Sequence, residues 1–126
     1  MSEAGDYVHA RLGHPITIEL VRAFVAEATR VGDDARREGG ISRNAIINCL
    51  LDVRGARNME PAANVFWFFR EELPRIPRLR SARIAVLVDA SDESHRFVET
   101  TSANAGYALH CFAEEQRAVD WLRAHS

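Results

Sequence analysis

Residues 83–90, with the sequence RIAVLVDA, decide the fold of this 126-residue chain. The β-branched and aliphatic run is too short for a helix and has no polar face, so it predicts a strand buried on both sides. Such a strand needs helices above and below it, and apolar residues at helical spacing occur both before and after the run. The stretch therefore predicts an α/β fold.

Strand and helix patterns alternate along the rest of the chain. Strands are expected over residues 7–12, as a half-exposed edge strand, over the buried run 44–53, and over 107–112. Helices are expected over 17–31, from Asn58 or Glu60 to 73, from Ser91 or Asp92 to 106, and over 114–125. Thr17 is expected to cap the first helix. Helical spacing predicts the inward residues of the first helix (Ile18, Val21, Phe24, Val25, Ala28, Val31) and of the last (Ala118, Val119, Trp121, Leu122). The order predicts a single domain, residues 1–126, with a four- to five-stranded, mostly parallel sheet flanked by helices. The polar residues 32–43 are expected to form a flexible connector within it. The alternative for its first part is two frayed turns added to the preceding helix, which Gly39 and Gly40 would end.

The charged residues exclude several functions. All 16 basic residues are arginine, and the net charge is -2 with both signs interspersed. Without a basic patch, we expect no nucleic-acid binding. Without lysine, the chain has no Walker lysine, no Schiff-base lysine and no counterpart of the lysine that receiver domains use beside their phosphoaspartate.

Metal and cofactor sites have no signature in the sequence. Cys49 and Cys111 fall in predicted strands without CxxC spacing, which predicts buried, reduced thiols. The five histidines show none of the HExxH, HxH or HxxxH spacings of metal sites. His95 and Glu99, one helical turn apart, are expected to form a solvated pair. We therefore expect no metal and no cofactor.

No segment of the sequence suggests a membrane location. Residues 1–6 lack a positive region followed by an apolar run, and no stretch reaches the ~18 apolar residues of a membrane span. We expect a cytoplasmic protein.

Residues 66–69, with the sequence FWFF, are the main oddity of the chain. Helical spacing predicts an inward stripe that leaves Trp67 and Phe68 pointing away from it; the stripe is Ala62, Val65, Phe66, Phe69 and Leu73. Three interpretations are open: Trp67 lies alone on the surface, Trp67 and Phe68 form a homodimer contact, or the phenylalanines line an apolar pocket. The homodimer is favoured, because Trp and Phe are enriched at the centres of interfaces.

Polar residues follow two strands that are expected to be parallel neighbours. Asp52 and Asp89 end these strands, and α/β sheets bind ligands beyond such ends. Arg54 and Arg57 in the first loop are able to receive an anion or to pair with the acids, and Ser91 lies in the second loop. A strand-end Asp most often starts a turn or caps a helix, so a structural role is favoured. An enzyme that uses Asp52 and Asp89 is a less favoured alternative.

Four segments together resemble the landmarks of the bacterial SpoIIAA-like proteins, which are relatives of the STAS and SEC14-type domains. The segments are 8–17 (VHARLGHPIT), 50–55 (LLDVRG), 82–87 (ARIAVL) and 111–122 (CFAEEQRAVDWL). The resemblance spans nearly the whole chain, and its most specific part is the closing pattern of Phe112, Ala118, Trp121 and Leu122.

The resemblance implies a β-α superhelix and a non-enzymatic regulatory or protein-binding role. Sporulation-type members are switched by phosphorylation of a serine at the start of the helix that follows the strand 44–53. Residues 53–80 contain no Ser or Thr, so this switch has no acceptor here. The first hypothesis is thus a dimeric module that docks a regulatory protein, with Trp67 and Phe68 in the contact, whereas Phe66, Phe68 and Phe69 would line the pocket of the alternative. The alternative is a carrier or sensor of a small apolar or lipid-like ligand.

Overall fold

The computed structural model describes residues 2–3, 7–37 and 48–124. Within these ranges one sheet has the order β1-β2-β3-β4-β5, with β1 at Ser2–Glu3, β2 at Val8–Arg11, β3 at Cys49–Asp52, β4 at Arg83–Leu87 and β5 at Ala108–Phe112. β2 to β5 are all parallel, and the short β1 is antiparallel to β2. The predicted α/β class with a mostly parallel sheet is confirmed.

The described helices cover both faces of this sheet. They are α1 (Ile18–Arg37), α2 (Ala62–Trp67), α3 (Arg96–Asn104) and α4 (Glu115–Ala124). Ile84 and Val86 of β4 pack in the layer shared with α1, α2 and α3, whereas Ala85 and Leu87 pack against α4. This alternation follows from the two-residue period of a strand, and it confirms that residues 83–87 are covered on both sides.

The first predicted strand is present, but its predicted edge position is wrong. Val8 and Ala10 are buried, and β1 pairs with β2 on the side away from β3. A two-residue strand is too short to show a period in the sequence, so β1 was not predicted. Among the described strands, β5 lies at the other edge of the sheet. Residues 44–47 of the predicted second strand lie outside the described residues.

α1 is longer than the sequence predicted. The Thr17 hydroxyl accepts the backbone N–H of Leu20 at 3.3 Å, which confirms the predicted N-cap. The helix continues to Arg37, so residues 32–37 form the added helical turns that the sequence left open. A single glycine costs a helix only about 1 kcal/mol, so Gly32 does not stop it. The remainder of the predicted connector, residues 38–43, lies outside the described residues.

The second predicted helix is divided into parts. α2 ends at Trp67 and is followed by a π-helical turn, Phe68–Glu72, and by 3₁₀ turns at Leu73–Arg75 and Pro77–Ser81. The prolines in these last turns lack the N–H that a continuing α-helix needs. The predicted caps are wrong, because Pro61 holds the N-cap position without a side-chain hydrogen bond.

α3 begins later than predicted. Neither Ser91 nor Asp92 caps it, since Asp92 Oδ1 instead accepts the backbone N–H of Ser94 at 2.9 Å in the preceding turn. The helix starts at Arg96 and ends, as predicted, before Gly106, whose φ is 90°.

α4 agrees with its predicted inward face. Ala118, Val119 and Leu122 are buried against β3 and β4. Trp121 is half-buried, and its ring centroid lies 5.7 Å from that of Phe112.

Candidate functional site

An apolar groove lies between α1 and the sheet, with a cavity volume of about 130 Å³. We call it the α1 groove. Its apolar lining comes from α1 (Ile18, Val21, Phe24, Val25, Ala28), from β3, β4 and β5 (Cys49, Leu51, Ile84, Val86, Leu109, Cys111) and from the α2 segment (Val65, Phe68, Phe69, Leu73). Among the residues that the structure describes, one layer of the α/β fold is thus incompletely filled, whereas protein interiors are normally close-packed.

The inward stripe of α1 reflects this gap. Phe24 is buried, but Val21, Val25 and Ala28, which lie on the same stripe at helical spacing, are only half-buried. Against a closely packed sheet, such a stripe is normally buried along its whole length. The groove therefore leaves apolar surface of α1 available to a ligand.

Polar ties to the α2 segment hold α1 on one flank. The backbone N–H of Ile18 donates to Glu60 Oε2 at 2.8 Å. Arg22 forms a bidentate pair with Glu72, in which Nε lies 2.8 Å from Oε2 and Nη2 contacts Oε1. Such planar pairs fix orientation as well as distance. These contacts position the N-terminal half of α1 against the α2 segment and not against the sheet.

The two ends of the α1 groove differ in polarity. The polar side chains Thr17, Asn58, Glu60 and His95 line it at the carboxyl ends of the strands. Leu79 and Ala82 line it near the start of β4. Within the described residues, no arginine belongs to the lining. The α1 groove is thus apolar along its length and polar at one end. This arrangement suits an amphiphile better than an ion.

The aromatic run contributes to the site differently from the prediction. Phe68 and Phe69 are each 5% exposed and line the α1 groove, whereas Phe66 is 38% exposed and does not line it. The predicted inward Phe66 and outward Phe68 are therefore wrong. Val65, Phe68 and Phe69 follow the spacing i, i+3, i+4, which is as helical as the predicted stripe. The sequence contains two possible stripes, and packing selects the second.

An exposed pair of aromatic rings remains on the outside of α2. Trp67 is 56% exposed, as predicted, and its ring lies edge-on to Phe66 with centroids 5.3 Å apart. The Arg70 guanidinium lies 5.2 Å from the centre of the Phe66 ring. We call Phe66 and Trp67 the aromatic patch.

The two cysteines add apolar surface to the groove, not reactivity. Both are free thiols, Cys49 buried and Cys111 half-buried, in line with the prediction. Burial raises the pKa of Cys49 to about 12. Burial, with a smaller effect of Glu99, raises the pKa of Cys111 to about 12. Because the thiolate is the nucleophile and the metal ligand, both groups are inert at neutral pH.

Asp52, at the carboxyl edge of the sheet, is a buried carboxylate with two arginine partners. Arg54 Nε and Nη2 lie 3.1 and 2.9 Å from its two oxygens, and Arg11 Nη1 lies 3.1 Å from Oδ2. The hydrogen bonds from the Arg54 side chain are the main cause that holds the pKa of Asp52 below its usual value. A carboxylate engaged in this way is a poor proton acceptor, so its arrangement favours the structural role.

The other polar residues of this edge also contact one another. Asp89 Oδ2 accepts the backbone N–H of Gly55 at 2.7 Å, which links the loops after β3 and β4. Arg57 Nη1 lies 3.8 Å from Asp92 Oδ1. Ser91 is exposed. The edge is therefore a network that joins loops, and Asp52 and Asp89 are held by different partners.

The predicted solvated pair of His95 and Glu99 is wrong. His95 is buried, and its Nε2 lies 2.9 Å from the Ala56 carbonyl oxygen and 3.6 Å from Asp92 Oδ2. Glu99 Oε2 instead accepts the backbone N–H of Cys111 at 2.6 Å, on the edge strand β5. Because α3 begins only after His95, the two side chains do not share one helical face.

The described ranges contain no candidate metal site and no candidate membrane span. No three His, Cys, Asp or Glu side chains come together there as a possible metal site. None of the described helices is both long enough and apolar enough to cross a membrane.

Sequence reasoning did not identify the groove or the part that Glu60 plays in it. The α1 stripe, the strand residues and Phe69 were all predicted to face inward, but a sequence pattern shows which side chains face inward and not whether they fill the space. Glu60 was expected near the start of α2, whereas its carboxylate caps α1, 42 residues earlier in the chain. Such a long-range cap has no local signal.

Comparison of the chain with models of known protein families, with curated proteins and with solved structures finds no match. The site is therefore interpreted from its own geometry.

Proposed function

We propose that this protein is a non-enzymatic module that binds a small apolar ligand in the α1 groove. The observation that carries this proposal is the cavity of about 130 Å³ beneath α1, lined by aliphatic and aromatic side chains. An apolar cavity of about 150 Å³ stays dry and accepts a molecule such as benzene. Of the two functions expected from the sequence, the carrier or sensor of a small ligand is thus the better supported.

The energetics favour occupation of the groove. At roughly 24 cal/mol per Å³, an enclosed cavity of this size would weaken a fold by about 3 kcal/mol, and the α1 groove, which is partly open, costs the fold less than that. A ligand recovers about 0.8 kcal/mol for each methylene that it removes from water. The binding free energy of a short hydrocarbon chain therefore comes from apolar contacts alone and grows with each methylene that the groove buries.

The test uses octan-1-ol as a probe, titrated by isothermal calorimetry into the wild-type protein and two variants. Ala28→Leu adds a bulky side chain inside the groove, and Ala26→Leu adds the same side chain to the exposed face of α1. We expect octan-1-ol to bind the wild type and Ala26→Leu alike, and Ala28→Leu at least about tenfold more weakly, because the added carbons occupy the ligand space.

Two results would contradict the proposal. One is a wild-type protein that does not bind octan-1-ol. The other is an equal loss of affinity in both leucine variants, which would place the probe somewhere other than beneath α1.

The aromatic patch supports a second candidate function, that of a protein-docking module which forms a homodimer. Trp67 and Phe66 together expose a pair of large rings, and Arg70 and Glu71 beside them are exposed and of opposite charge. A twofold contact presents the same surface on both subunits, so neighbouring opposite charges are able to pair across it. This candidate is compatible with a ligand in the α1 groove.

Sedimentation velocity over a range of protein concentrations tests the second candidate. We expect the wild type to form a dimer and Trp67→Ser to remain a monomer with an unchanged circular dichroism spectrum. A wild-type protein that stays monomeric at every concentration would contradict homodimerisation.

Kinship with the SpoIIAA-like proteins and a cytoplasmic location are part of the same proposal. The sequential strand order β2-β3-β4-β5, with the last helix on the opposite face, supports the β-α superhelix that this kinship implies. A ligand-responsive module without a phosphorylatable hydroxyl in residues 53–80 would respond to occupation of the groove instead of to phosphorylation.

A further inference from the structure

The polar end of the α1 groove coincides with the N-terminus of α1. A helix N-terminus attracts anions because its first N–H groups lack intrahelical partners and carry a partial positive charge. Here the N–H of Ile18 already donates to Glu60 Oε2 at 2.8 Å, and the N–H of Leu20 donates to the Thr17 hydroxyl at 3.3 Å. The position that a carboxylate ligand would seek is filled by a carboxylate of the chain itself.

Glu60 is fixed in this position. Its Oε1 accepts a hydrogen bond from Asn64 Nδ2 at 2.6 Å, and its backbone N–H donates to Asn58 Oδ1 at 3.1 Å. Both carboxylate oxygens therefore have partners on different elements. The side chain is half-buried, so water screens its charge only partly.

The groups around Glu60 do not cancel its charge. One cation that interacts with Glu60 is Arg22, whose guanidinium is bound to Glu72. The pKa of Arg22 is raised chiefly by its hydrogen bond to Glu72 and further by the charges of Glu19 and Glu60, so one guanidinium serves three carboxylates. His95 Nε2, at the same end of the groove, lies 2.9 Å from a backbone carbonyl oxygen. This end of the groove is therefore negative.

We infer that the α1 groove selects short-chain amphiphiles with an uncharged polar head, and that Glu60 is the residue that excludes anionic ones. The inference rests on the proposed function. Thr17 and Asn58 line the same end of the groove. The Thr17 hydroxyl accepts from Leu20 and keeps its own hydrogen to donate, and Asn58 Nδ2 keeps a second hydrogen beside the one that it donates to the Ser94 carbonyl oxygen. A carboxylate head would have to displace Glu60 from the N-terminus of α1 or lie against it.

The shape of the groove sets the length of the tail. Its lining extends from Val53, just beyond β3, to Ala82, just before β4, so the groove runs along the strands. At ~3.3 Å per residue, the five residues of β4 span roughly 17 Å. A volume of about 130 Å³ distributed over this length describes a narrow groove. We expect a single short alkyl chain to suit such a groove better than a fused-ring ligand or a two-chain lipid.

The test compares two probes with the same alkyl chain, octan-1-ol and octanoate, by calorimetry. The titrations are made at about pH 7, where the carboxyl group of octanoate is ionised. We expect the wild type to bind octanoate at least about tenfold more weakly than octan-1-ol, because a like charge at this partly buried position is poorly screened. Glu60→Gln keeps an acceptor oxygen for the α1 cap but removes the charge. We expect it to bind octanoate about tenfold more tightly than the wild type does, with little change for octan-1-ol.

Glu114→Gln is the control, because it removes one negative charge from an exposed residue that lies just before α4 and does not line the groove. We expect it to leave both affinities unchanged. Equal wild-type affinities for the two probes would overturn the charge selectivity while leaving the proposed function intact. An unchanged ratio in Glu60→Gln would overturn the role of Glu60. Absence of octan-1-ol binding to the wild type would overturn the proposed function and this inference together.

The wild-type comparison needs no substitution, so the selectivity is testable even if Glu60→Gln weakens the fold. Chemical denaturation of each variant shows whether folding is retained.

Discussion

Asp52 shows how a residue at the expected ligand-binding edge of an α/β sheet serves the fold instead. Its buried carboxylate joins the end of β2, through Arg11, to the loop after β3, through Arg54. Arg11 Nη2 also donates to the Arg54 carbonyl oxygen at 3.3 Å. Hydrogen bonds to charged groups contribute roughly 1.5 to 3 kcal/mol each when they are formed. The Asp52 carboxylate therefore holds the two segments together.

We expect Asp52→Asn to lower the free energy of unfolding by about 2 kcal/mol at about pH 7. The arginine partners hold the folded-state pKa of Asp52 below the unfolded value of about 3.9. A lowered folded pKa contributes stability above the unfolded pKa, and this contribution disappears as the pH falls through the folded value. The difference between wild type and variant should thus shrink below about pH 4, as measured by urea denaturation across this range.

Asp120→Asn is the control, because Asp120 is exposed on α4 and accepts a hydrogen bond from Gln116 Nε2 at 2.8 Å, one turn away on the same helix. We expect a change within about 0.5 kcal/mol for this variant. An equal effect of the two substitutions, or a pH-independent difference for Asp52→Asn, would show that the arginine contacts do not stabilise the fold.

At the scale of single elements, the helix ends show what a sequence reveals locally. The end of α3 was predicted from Gly106, and its φ of 90° is one that L-residues rarely adopt. Arg80 Nη1 lies 3.0 Å from the place where a Cβ would be, and the same atom donates to the Ala105 carbonyl oxygen at 2.6 Å. The glycine is thus required by its conformation, whereas the contact would only make the end of the flexible Arg80 side chain shift.

We expect Gly106→Ala to destabilise the protein by about 1 to 2 kcal/mol, the cost of a left-handed conformation for a residue with a Cβ. Gly13→Ala is the matched control, since Gly13 has no positive φ and a Cβ there would meet nothing within 4 Å. Thermal denaturation followed by circular dichroism compares the two variants. Equal melting temperatures would contradict the requirement for glycine at residue 106.

Other elements depend on information that the local sequence lacks. β4 was predicted correctly because its continuous apolar run fits only a strand covered on both faces. The orientation of α2 was predicted wrongly, because Phe66 and Phe68 lie on either side of the same helical face. Each of them completes a plausible inward stripe. The contact of Phe68 with the rest of the layer decides between them. The length of α1 was underestimated because Gly32 and a polar composition favour a loop only weakly.

At the scale of the whole molecule, the order of strands and helices was predictable, whereas the space between them was not. The period of a pattern determines which side chains face the sheet, as for Val21 and Ala28 of α1. How close a helix lies to the sheet depends on distant contacts, here the ties from Glu60 and Glu72 to α1. The candidate site is therefore a product of tertiary packing, and only its individual lining residues were visible in the sequence.

The claim that an apolar groove beneath α1 is open to ligands is tested most directly by methyl NMR under xenon pressure, because xenon enters dry apolar cavities of this size. We expect the largest shifts at methyl groups that line the α1 groove, such as those of Val21, Leu51 and Ile84. The methyl groups of Leu87 and Leu122, in the layer beneath α4, should barely shift. Shifts that are absent from the groove, or equal in both layers, would contradict the claim.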